Sequence, residues 1–402
     1  MPMKLTTFRV YFAGICSLIV TAGVARFSYS LLIPIMQEGA ALTDSGAGWL
    51  ATTNFMGYMS GVFLAASMHK LQHKYHLHRL YLVLSVLTSV AMISTTDMVT
   101  WAVLRFVAGT CASGGFIIAS GLILKWLVTN NYRPELGIHF AGVGIGIIIT
   151  SLLVEAMLTI SANWQDQWLA LAVMAAIVAI PAWLWMPRPV TDNNKHDTVK
   201  DNPPTKTFNS FMMLAYFCAG YGYAVSSTFI VDLVERTEGL QGQGGFVFLL
   251  IGFSATPASL IWDRVARKTG YLKALLAAYT LNAIGIILPA LNDSFTTVIL
   301  SAILFGGTFV ACVSLVLTMA GKFYPSNPAK FMGKMTLAYG AAQIIAPVTT
   351  GYIVEAFSRY DIGLYLSAFV VMVGTLFLFV LLSLESRPVK NININNETLN
   401  GR

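Results

Sequence analysis

The sequence has little charge, since only 11% of its 402 residues are Asp, Glu, Lys or Arg, while 56% are hydrophobic. A soluble globular domain usually carries about 25% charged residues. This shortage argues against a soluble enzyme, and the same composition excludes a coiled coil, a collagen, a disulfide scaffold and a disordered chain. It is typical of a protein whose surface faces lipid.

Motifs for disulfides, metals and nucleotides are also missing. Neither a CxxC pair nor a Cys/His pattern with zinc spacing occurs. No P-loop motif of the form GxxxxGK[ST] is present, so the chain has no ATP site of its own. We therefore expect no enzyme activity, no metal site and no cofactor. The cysteines all lie in apolar runs and are expected to be small buried residues: Cys16, Cys111, Cys218 and Cys312.

What the sequence has instead is twelve long apolar runs. A membrane-spanning helix needs about 20 mostly apolar residues, and lipid offers no partner to an unpaired backbone group, so each run is predicted to be a helix. The first run carries Arg26 and is too long for a cleavable signal. The runs cover residues 8–36, 45–68, 79–96, 98–128, 134–159, 164–186, 208–233, 244–262, 271–291, 294–319, 330–356 and 361–385.

Lysine and arginine are distributed unevenly between the two ends of these helices. Of the 25, 21 fall on the side that carries both termini, Arg236 and Arg359 fall on the other side, and Arg26 and Arg105 lie inside helices. Cytoplasmic loops are enriched in Lys and Arg, so both termini are predicted to be cytoplasmic in a multi-pass protein of the plasma (bacterial inner) membrane. The net charge of +7 then reflects topology, and we expect no nucleic acid partner.

One long polar stretch divides the chain. Residues 187–207 are rich in Pro, Asn, Asp and Lys and are predicted to be a cytoplasmic linker. It separates an N-terminal six-helix bundle, residues 1–186, from a C-terminal six-helix bundle, residues 208–386. Residues 387–402 are predicted to form a polar cytoplasmic tail.

Weak internal repeats relate the two halves. Ala22-Gly23 matches Ala219-Gly220, and Gly109 matches Gly306, both 197 residues apart and in corresponding helices. Residues 154–157 (VEAM) match residues 354–357 (VEAF) at an offset of 200. Several matches near one offset indicate a duplication, which predicts an all-α membrane protein of two pseudo-symmetric bundles with a binding site between them.

Three motifs, which follow one another along the chain, resemble the motifs of a known family. Residues 23–29 (GVARFSY), 216–223 (YFCAGYGY) and 339–347 (YGAAQIIAP) lie in the first, seventh and eleventh predicted helices. Over its whole length the chain resembles the major facilitator superfamily, and more narrowly the YbfB/YjiJ-like bacterial transporters. The resemblance implies a cavity lined by helices 1, 4, 7 and 10, but it does not name a cargo.

The loop motif of that superfamily is preserved in only one half. Residues 262–270 (WDRVARKTG) keep part of it, and the resemblance implies a gating role for Asp263, Arg264 and Arg267. The corresponding stretch, residues 61–79, lacks the aspartate. It holds four histidines instead, for which a solvated basic loop is favoured over a metal site because acids and Cys are missing: His69, His73, His76 and His78.

Arg26 and Arg105 are the arginines predicted to lie inside the membrane. Their depths are roughly 15 Å and roughly 12 Å below the membrane surface on the side opposite the termini. A charge at such depth costs at least ~2.5–3.5 kcal/mol, so each is expected to face the bundle interior or a wet cavity. Two cations in one cavity favour a carboxylate or phosphate on the cargo. The alternative is neutralisation by backbone carbonyls or by an acid, or a side chain that reaches the surface.

Aromatic and amide side chains are predicted to complete the site. Tyr221 and Tyr223 give helix 7 an aromatic face, and Tyr29 lies one turn beyond Arg26. Asn54 and Gln343 are deep amides, for which a contact with the cargo and a hydrogen bond between helices are equally open.

Glu155 is the carboxylate predicted to lie closest to these arginines. It is a candidate for carrying a coupling proton or for pairing with Arg105. An acid at the membrane interface, beside its repeat mate Glu355, is the favoured alternative.

We therefore predict a secondary active transporter that moves a small organic solute, anionic or amphipathic, by alternating access. Protons are the candidate coupling ion, and a monomer in the lipid bilayer is expected. Two alternatives remain open: a non-transporting sensor or scaffold, and a drug or metabolite efflux pump with no anion preference. A membrane-embedded enzyme is disfavoured, since the histidine cluster has no partner acids.

Overall fold

The computed structural model describes residues 6–68, 70–132, 136–189, 202–324 and 329–385. Within these ranges the chain folds into twelve helical rods joined by short loops. In chain order they are α1 Thr7–Ala40, α2 Asp44–Ser67, α3 Leu71–Ser94, α4 Met98–Thr129, α5 Gly137–Leu158, α6 Trp164–Trp185, α7 Lys206–Arg236, α8 Gly244–Thr269, α9 Tyr271–Leu291, α10 Phe295–Phe323, α11 Ala329–Phe357 and α12 Asp361–Glu385.

Eleven of these rods are long and apolar enough to cross a membrane. The exception is α2, whose sequence is rich in Gly, Ser and Thr and includes the buried Asn54. Its 24 residues are still long enough to cross, because they span ~36 Å at 1.5 Å per residue. The prediction of an all-α polytopic protein with twelve membrane helices is confirmed.

Short polar residues begin half of the rods. At α2, the Thr43 hydroxyl accepts from the Gly46 amide at 3.0 Å. At α6, Asn163 and Asp166 exchange hydrogen bonds with each other's backbone in a capping box. These caps satisfy amides that have no partner inside the helix, so the helix ends are fixed close to the polar loops. The capping residues are Thr6, Thr43, Asp97, Asn163, Thr205 and Ser294.

The third helix begins earlier than the apolar pattern predicts, at Leu71 instead of residue 79. Backbone hydrogen bonding continues past the apolar core, so its polar first turns are helical too. His78 is fully buried, and its Nε2 lies 2.7 Å from the Ser17 hydroxyl oxygen. The prediction of a solvated loop is therefore wrong for His78, whereas His73 and His76 are exposed. His69 lies outside the described residues.

The packing pattern of the first six rods recurs in the last six. α2 packs along α4 as α8 packs along α10, and α1 packs along α5 as α7 packs along α11. The repeated glycines serve equivalent contacts. A Cβ on Gly109 would overlap the Asn54 backbone of α2, and a Cβ on Gly306 would overlap the Ile251 backbone of α8. The sequence repeats thus mark equivalent helix crossings.

The two halves meet along two pairs of rods, α2 with α11 and α5 with α8. Small residues let the second pair approach closely, since a Cβ on Gly144 of α5 would meet the Gly252 carbonyl of α8 at 2.6 Å. The second half of α1 also packs along α7. Residues of α1, α2, α4 and α7 line a small space between the halves.

An even number of crossings puts the start of α1 and the end of α12 on one face, called here the terminal face. α6 ends at Trp185 and α7 begins at Lys206. Residues 190–201 of the predicted linker and the predicted tail, residues 387–402, lie outside the described residues.

Candidate functional site

The two rods that carry the buried arginines depart from regular α-helix. Residues Ile19–Phe27 of α1 and Gly114–Ala119 of α4 form π-helical turns. Such turns are rare and are found frequently at functional sites. In α1 the π-helical stretch contains Arg26 itself.

Arg26 lies in a cage of aromatic rings. Its guanidinium carbon is 4.5 Å from the ring centroid of Phe55, 5.1 Å from Tyr58, 5.2 Å from Tyr223 and 5.8 Å from Phe27. These rings come from α1, α2 and α7, so both halves contribute. The faces of the rings attract the cation without accepting its hydrogen bonds in the way a carboxylate would.

The guanidinium of Arg26 keeps unused donors. Its side chain is only 8% exposed, and neither Nε nor Nη2 has a hydrogen-bond partner. It forms no ion pair with any residue in the described ranges. Buried charged groups are normally paired, because an unmet donor carries a desolvation cost. Arg26 is therefore a buried cation without a counter-anion among the described residues.

Arg105 approaches the same space from α4. Its guanidinium carbon lies 4.3 Å over the Tyr29 ring, and Nη1 donates to the Ala25 carbonyl oxygen at 3.1 Å. The side chain is 2% exposed, and Nε has no partner. Neutralisation by backbone carbonyls, the predicted alternative, accounts for one donor of Arg105, and no acidic side chain in the described ranges pairs with its charge.

One small cavity brings four of the predicted residues together. Arg26, Tyr29, Asn54 and Arg105 all line it. Its free space holds about one water molecule, so no cargo of several atoms fits in this conformation. The remaining lining residues are Phe27, Ser30, Ala51, Phe55, Ser227 and Thr228.

Asn54 connects helices as well as lining the cavity. Its Nδ2 donates to the Ala25 carbonyl oxygen at 3.2 Å and to the Arg105 carbonyl oxygen at 2.9 Å. Both amide hydrogens therefore tie α2 to α1 and α4. Gln343 of α11 is also buried, but it is not among the lining residues, and its Oε1 has no partner.

The predicted tyrosines separate into two environments. The Tyr223 ring stacks on Phe309 at 5.4 Å and on Tyr339 at 5.9 Å while it contacts Arg26. Tyr221 instead bonds through its hydroxyl with Thr349 of α11 at 2.9 Å and does not line the cavity. Tyr223 therefore belongs to the arginine cage and Tyr221 to the packing of α7 on α11.

The other predicted residues lie away from the cavity. Glu155 is half-buried against Gly245, where α5 crosses α8. It forms no ion pair with Arg105 in the part of the chain that the structure describes. On the terminal face, Asp263 pairs with Arg267 at 2.9 Å within α8, and Arg264 is exposed.

A network that the sequence did not reveal closes the face opposite the termini. Arg236 at the end of α7 pairs with Asp44 at the start of α2 in the other half, and its Nε donates to Asp232 at 3.0 Å. Tyr360 donates its hydroxyl to the same Asp232 carboxylate. Asp232 lies inside α7 and is 1% exposed. The spacing of four residues between Asp232 and Arg236 was the signal available for their pairing.

Further bonds join the halves at this face. The Ser45 amide of α2 donates to Glu355 of α11 at 2.9 Å, and Trp49 Nε1 donates to the Tyr352 hydroxyl at 3.1 Å. The structure is therefore closed by polar contacts on the face opposite the termini.

Comparisons with known proteins agree with this architecture. The family described as "Uncharacterised MFS-type transporter YbfB" matches residues 18–379. Among curated proteins, the chain is 23% identical over 431 residues to "Probable sulfoacetate transporter SauU" of Cupriavidus necator, covering 97% of this chain and 98% of that protein.

Two solved structures share the fold. A point mutant of the nucleoside transporter NupG has a TM-score of 0.73 at 12% identity, covering 93% of this chain and 99% of that one. A second NupG structure has a TM-score of 0.68 at 11% identity, covering 95% and 99%. At these identities the likeness shows the fold alone.

Proposed function

This chain belongs to the YbfB family of MFS-type transporters, and we propose that the solute it moves is a small organic anion bound by Arg26. The observation that carries the proposal is the buried guanidinium of Arg26, which has unpaired donors and no acidic partner among the described residues. An anion on the cargo would supply both the missing charge and the missing acceptors.

Physical chemistry favours an anion over a neutral solute at this position. A hydrogen bond to a charged group contributes about 1.5–3 kcal/mol, and a guanidinium presents two parallel donors to a carboxylate or sulfonate. The aromatic cage holds the guanidinium and leaves its N–H edge for the cargo. The curated relative SauU is described as a probable sulfoacetate transporter, which supports the same class of cargo.

We propose that the cargo moves by alternating access, with the two halves rocking about the cavity. The cavity holds about one water, so it must widen before a solute can enter. The bridge from Arg236 to Asp44 would hold the face opposite the termini closed until the halves move apart.

We propose that transport is coupled to protons. Two carboxylates are candidates for binding and releasing the coupled proton. Asp232 is buried in the bridge between the halves, so separation of the halves would change its partners. Glu155 is the second candidate, because it lies where α5 crosses α8. A carboxylate that exchanges partners during rocking is suited to binding and releasing a proton.

We propose that the protein is a monomer in the plasma membrane, with the terminal face in the cytoplasm. The support is the unequal distribution of Lys and Arg, with 21 on the terminal side and two on the other.

Thermal stabilisation of the purified protein tests the anion proposal. Sulfoacetate, succinate and acetate are compared with neutral malonamide, since a specific ligand raises the melting temperature in a concentration-dependent way. We expect stabilisation by at least one anion, weakened about 10-fold to 100-fold in affinity by Arg26→Gln. Arg359→Gln removes a cation from an exposed loop pair and should change nothing. Equal binding of malonamide, or wild-type affinity in Arg26→Gln, would overturn the proposal and favour a pump without anion preference.

A further inference from the structure

A second buried cation faces the cavity of Arg26. Arg105 lines the same cavity, is 2% exposed and has an unpaired Nε. Its bond from Nη1 to the Ala25 carbonyl oxygen and its position over the Tyr29 ring hold it in place. The site thus contains two fixed positive charges.

Among the residues that the structure describes, no carboxylate lines the cavity to balance this double charge. Its lining is made only of arginine, aromatic, amide, hydroxyl and alanine side chains. The carboxylate on the neighbouring turn of α7 is Asp232, four residues beyond the lining residue Thr228. It is already bonded to Arg236 and Tyr360. Compensation for two charges therefore has to come from the cargo.

A cargo with one anionic group would leave half of the positive charge unmet. Two like charges buried together repel each other strongly, because little water is present to screen them. Binding a monoanion removes the cost for one arginine and leaves the other desolvated and unpaired. A cargo with an anionic group for each guanidinium relieves both.

We infer that the preferred cargo is a short dianion, such as a dicarboxylate or a carboxylate–sulfonate, with one anionic group on Arg26 and the other on Arg105. This inference rests on the proposed function and deepens it by naming the substrate class. Arg105 is then the residue that selects dianions over monoanions.

The competing role for Arg105 is purely structural, namely fixing α4 on α1 through Ala25. The two roles differ in one readout, the ratio of dianion to monoanion affinity. A structural arginine affects both affinities together and leaves the ratio unchanged. A selective arginine acts on the dianion, so its loss changes the ratio.

Equilibrium binding to the purified full-length protein tests this. The dianions are sulfoacetate, malonate and succinate, and the monoanions are acetate and methanesulfonate. In the wild type we expect the best dianion to bind at least 10-fold more tightly than either monoanion. In Arg105→Gln this ratio should fall to about one, whereas Arg359→Gln keeps it. Arg105→Lys retains the charge, should keep a ratio above one, and covers the case in which Arg105→Gln does not fold.

Two results would overturn the inference while leaving the proposed function intact. One is a wild-type protein that binds monoanions as tightly as dianions. The other is a ratio that Arg105→Gln leaves unchanged. If the wild type binds none of these anions, the proposed function fails, and the inference fails with it.

Discussion

The guanidinium carbon of Arg26 lies 5.2 Å from the ring centroid of Tyr223, and the two residues occupy equivalent positions in the two halves, 197 residues apart. Ser30 and Ser227 have the same offset and are joined by a hydrogen bond. Equivalent residues meet only near the axis that relates the halves, so the cavity lies on that axis. One half supplies the cation there, and the other supplies a ring.

The ring of Tyr223 is expected to matter more than its hydroxyl. A desolvated cation–π contact contributes about 2 kcal/mol or more, so Tyr223→Leu should weaken anion binding at least about 10-fold by releasing the Arg26 guanidinium. Tyr223→Phe keeps the ring and should bind within about twofold of the wild type. Titration of both purified variants with the best-binding anion provides the measurement. Wild-type affinity in Tyr223→Leu would show that the cage does not position Arg26.

The pair between Arg236 and Asp44 is expected to hold one face closed. Its loss should favour the open state by about 1 kcal/mol, or about fivefold in population, since Arg236 is partly exposed. A cysteine at Thr228, which lines the cavity, reports opening through its reaction with an impermeant thiol reagent. Arg236→Gln should speed this labelling from the face opposite the termini.

The matched control for this experiment is Arg359→Gln. It breaks an Arg–Asp pair on the same face that lies within one half. Labelling at Thr228→Cys should keep its wild-type rate in this control. If the two variants label equally fast, the pair from Arg236 to Asp44 does not hold that face closed.

Coupling to protons is expected to depend on Asp232. Asp232→Asn keeps one acceptor oxygen for Arg236, offers the Tyr360 hydroxyl an amide donor in place of the second oxygen, and cannot bind a proton at physiological pH. We expect it to exchange anions across vesicle membranes and to lose accumulation driven by a pH gradient. Loss of accumulation in Glu155→Gln instead would assign the proton to Glu155. Accumulation retained in both variants would contradict proton coupling through either carboxylate.

The orientation of the chain is expected to follow its basic residues. A fluorescent protein that folds only in the cytoplasm should be fluorescent when fused after residue 402. A fusion placed in the loop between α11 and α12, beside Arg359, should be dark. Reversed fluorescence would contradict the assignment of the terminal face to the cytoplasm.

His78 is expected to stabilise the first bundle. Its bond to Ser17 is buried, so His78→Ala leaves a cavity and an unpaired hydroxyl at a cost of about 1–3 kcal/mol. A lower melting temperature in detergent should follow. His76→Ala alters an exposed residue of the same helix and should melt like the wild type. Equal melting temperatures in the two variants would contradict a structural role for His78.

The sequence predicted the fold well because lipid restricts the choice of structure. Apolar length and the distribution of Lys and Arg act over whole helices, so the apolar runs along the chain predict twelve helices. The ends of helices were harder to predict where the sequence is polar. The first turns of α3 are helical although they look like a loop, because hydrogen bonding along the helix continues into the polar region.

The site was predicted in part. Buried charge is costly, so Arg26 and Arg105 stood out from the sequence, and the structure places both at one cavity. The ring of Phe55 and the pair between Arg236 and Asp44 depend on how separate helices cross. Nothing in the local sequence specifies which residues of α2 and α7 become neighbours, so these contacts follow only from the three-dimensional fold.

Exchange of labelled anion across proteoliposome membranes tests the central claim most directly. The anion that binds most tightly is loaded inside, and entry of its labelled form is followed for the wild type, Arg26→Gln and Arg359→Gln. We predict rapid exchange by the wild type and Arg359→Gln, and a loss of at least about tenfold in Arg26→Gln. Undiminished exchange in Arg26→Gln, or binding without exchange in the wild type, would contradict transport of an anion through this arginine.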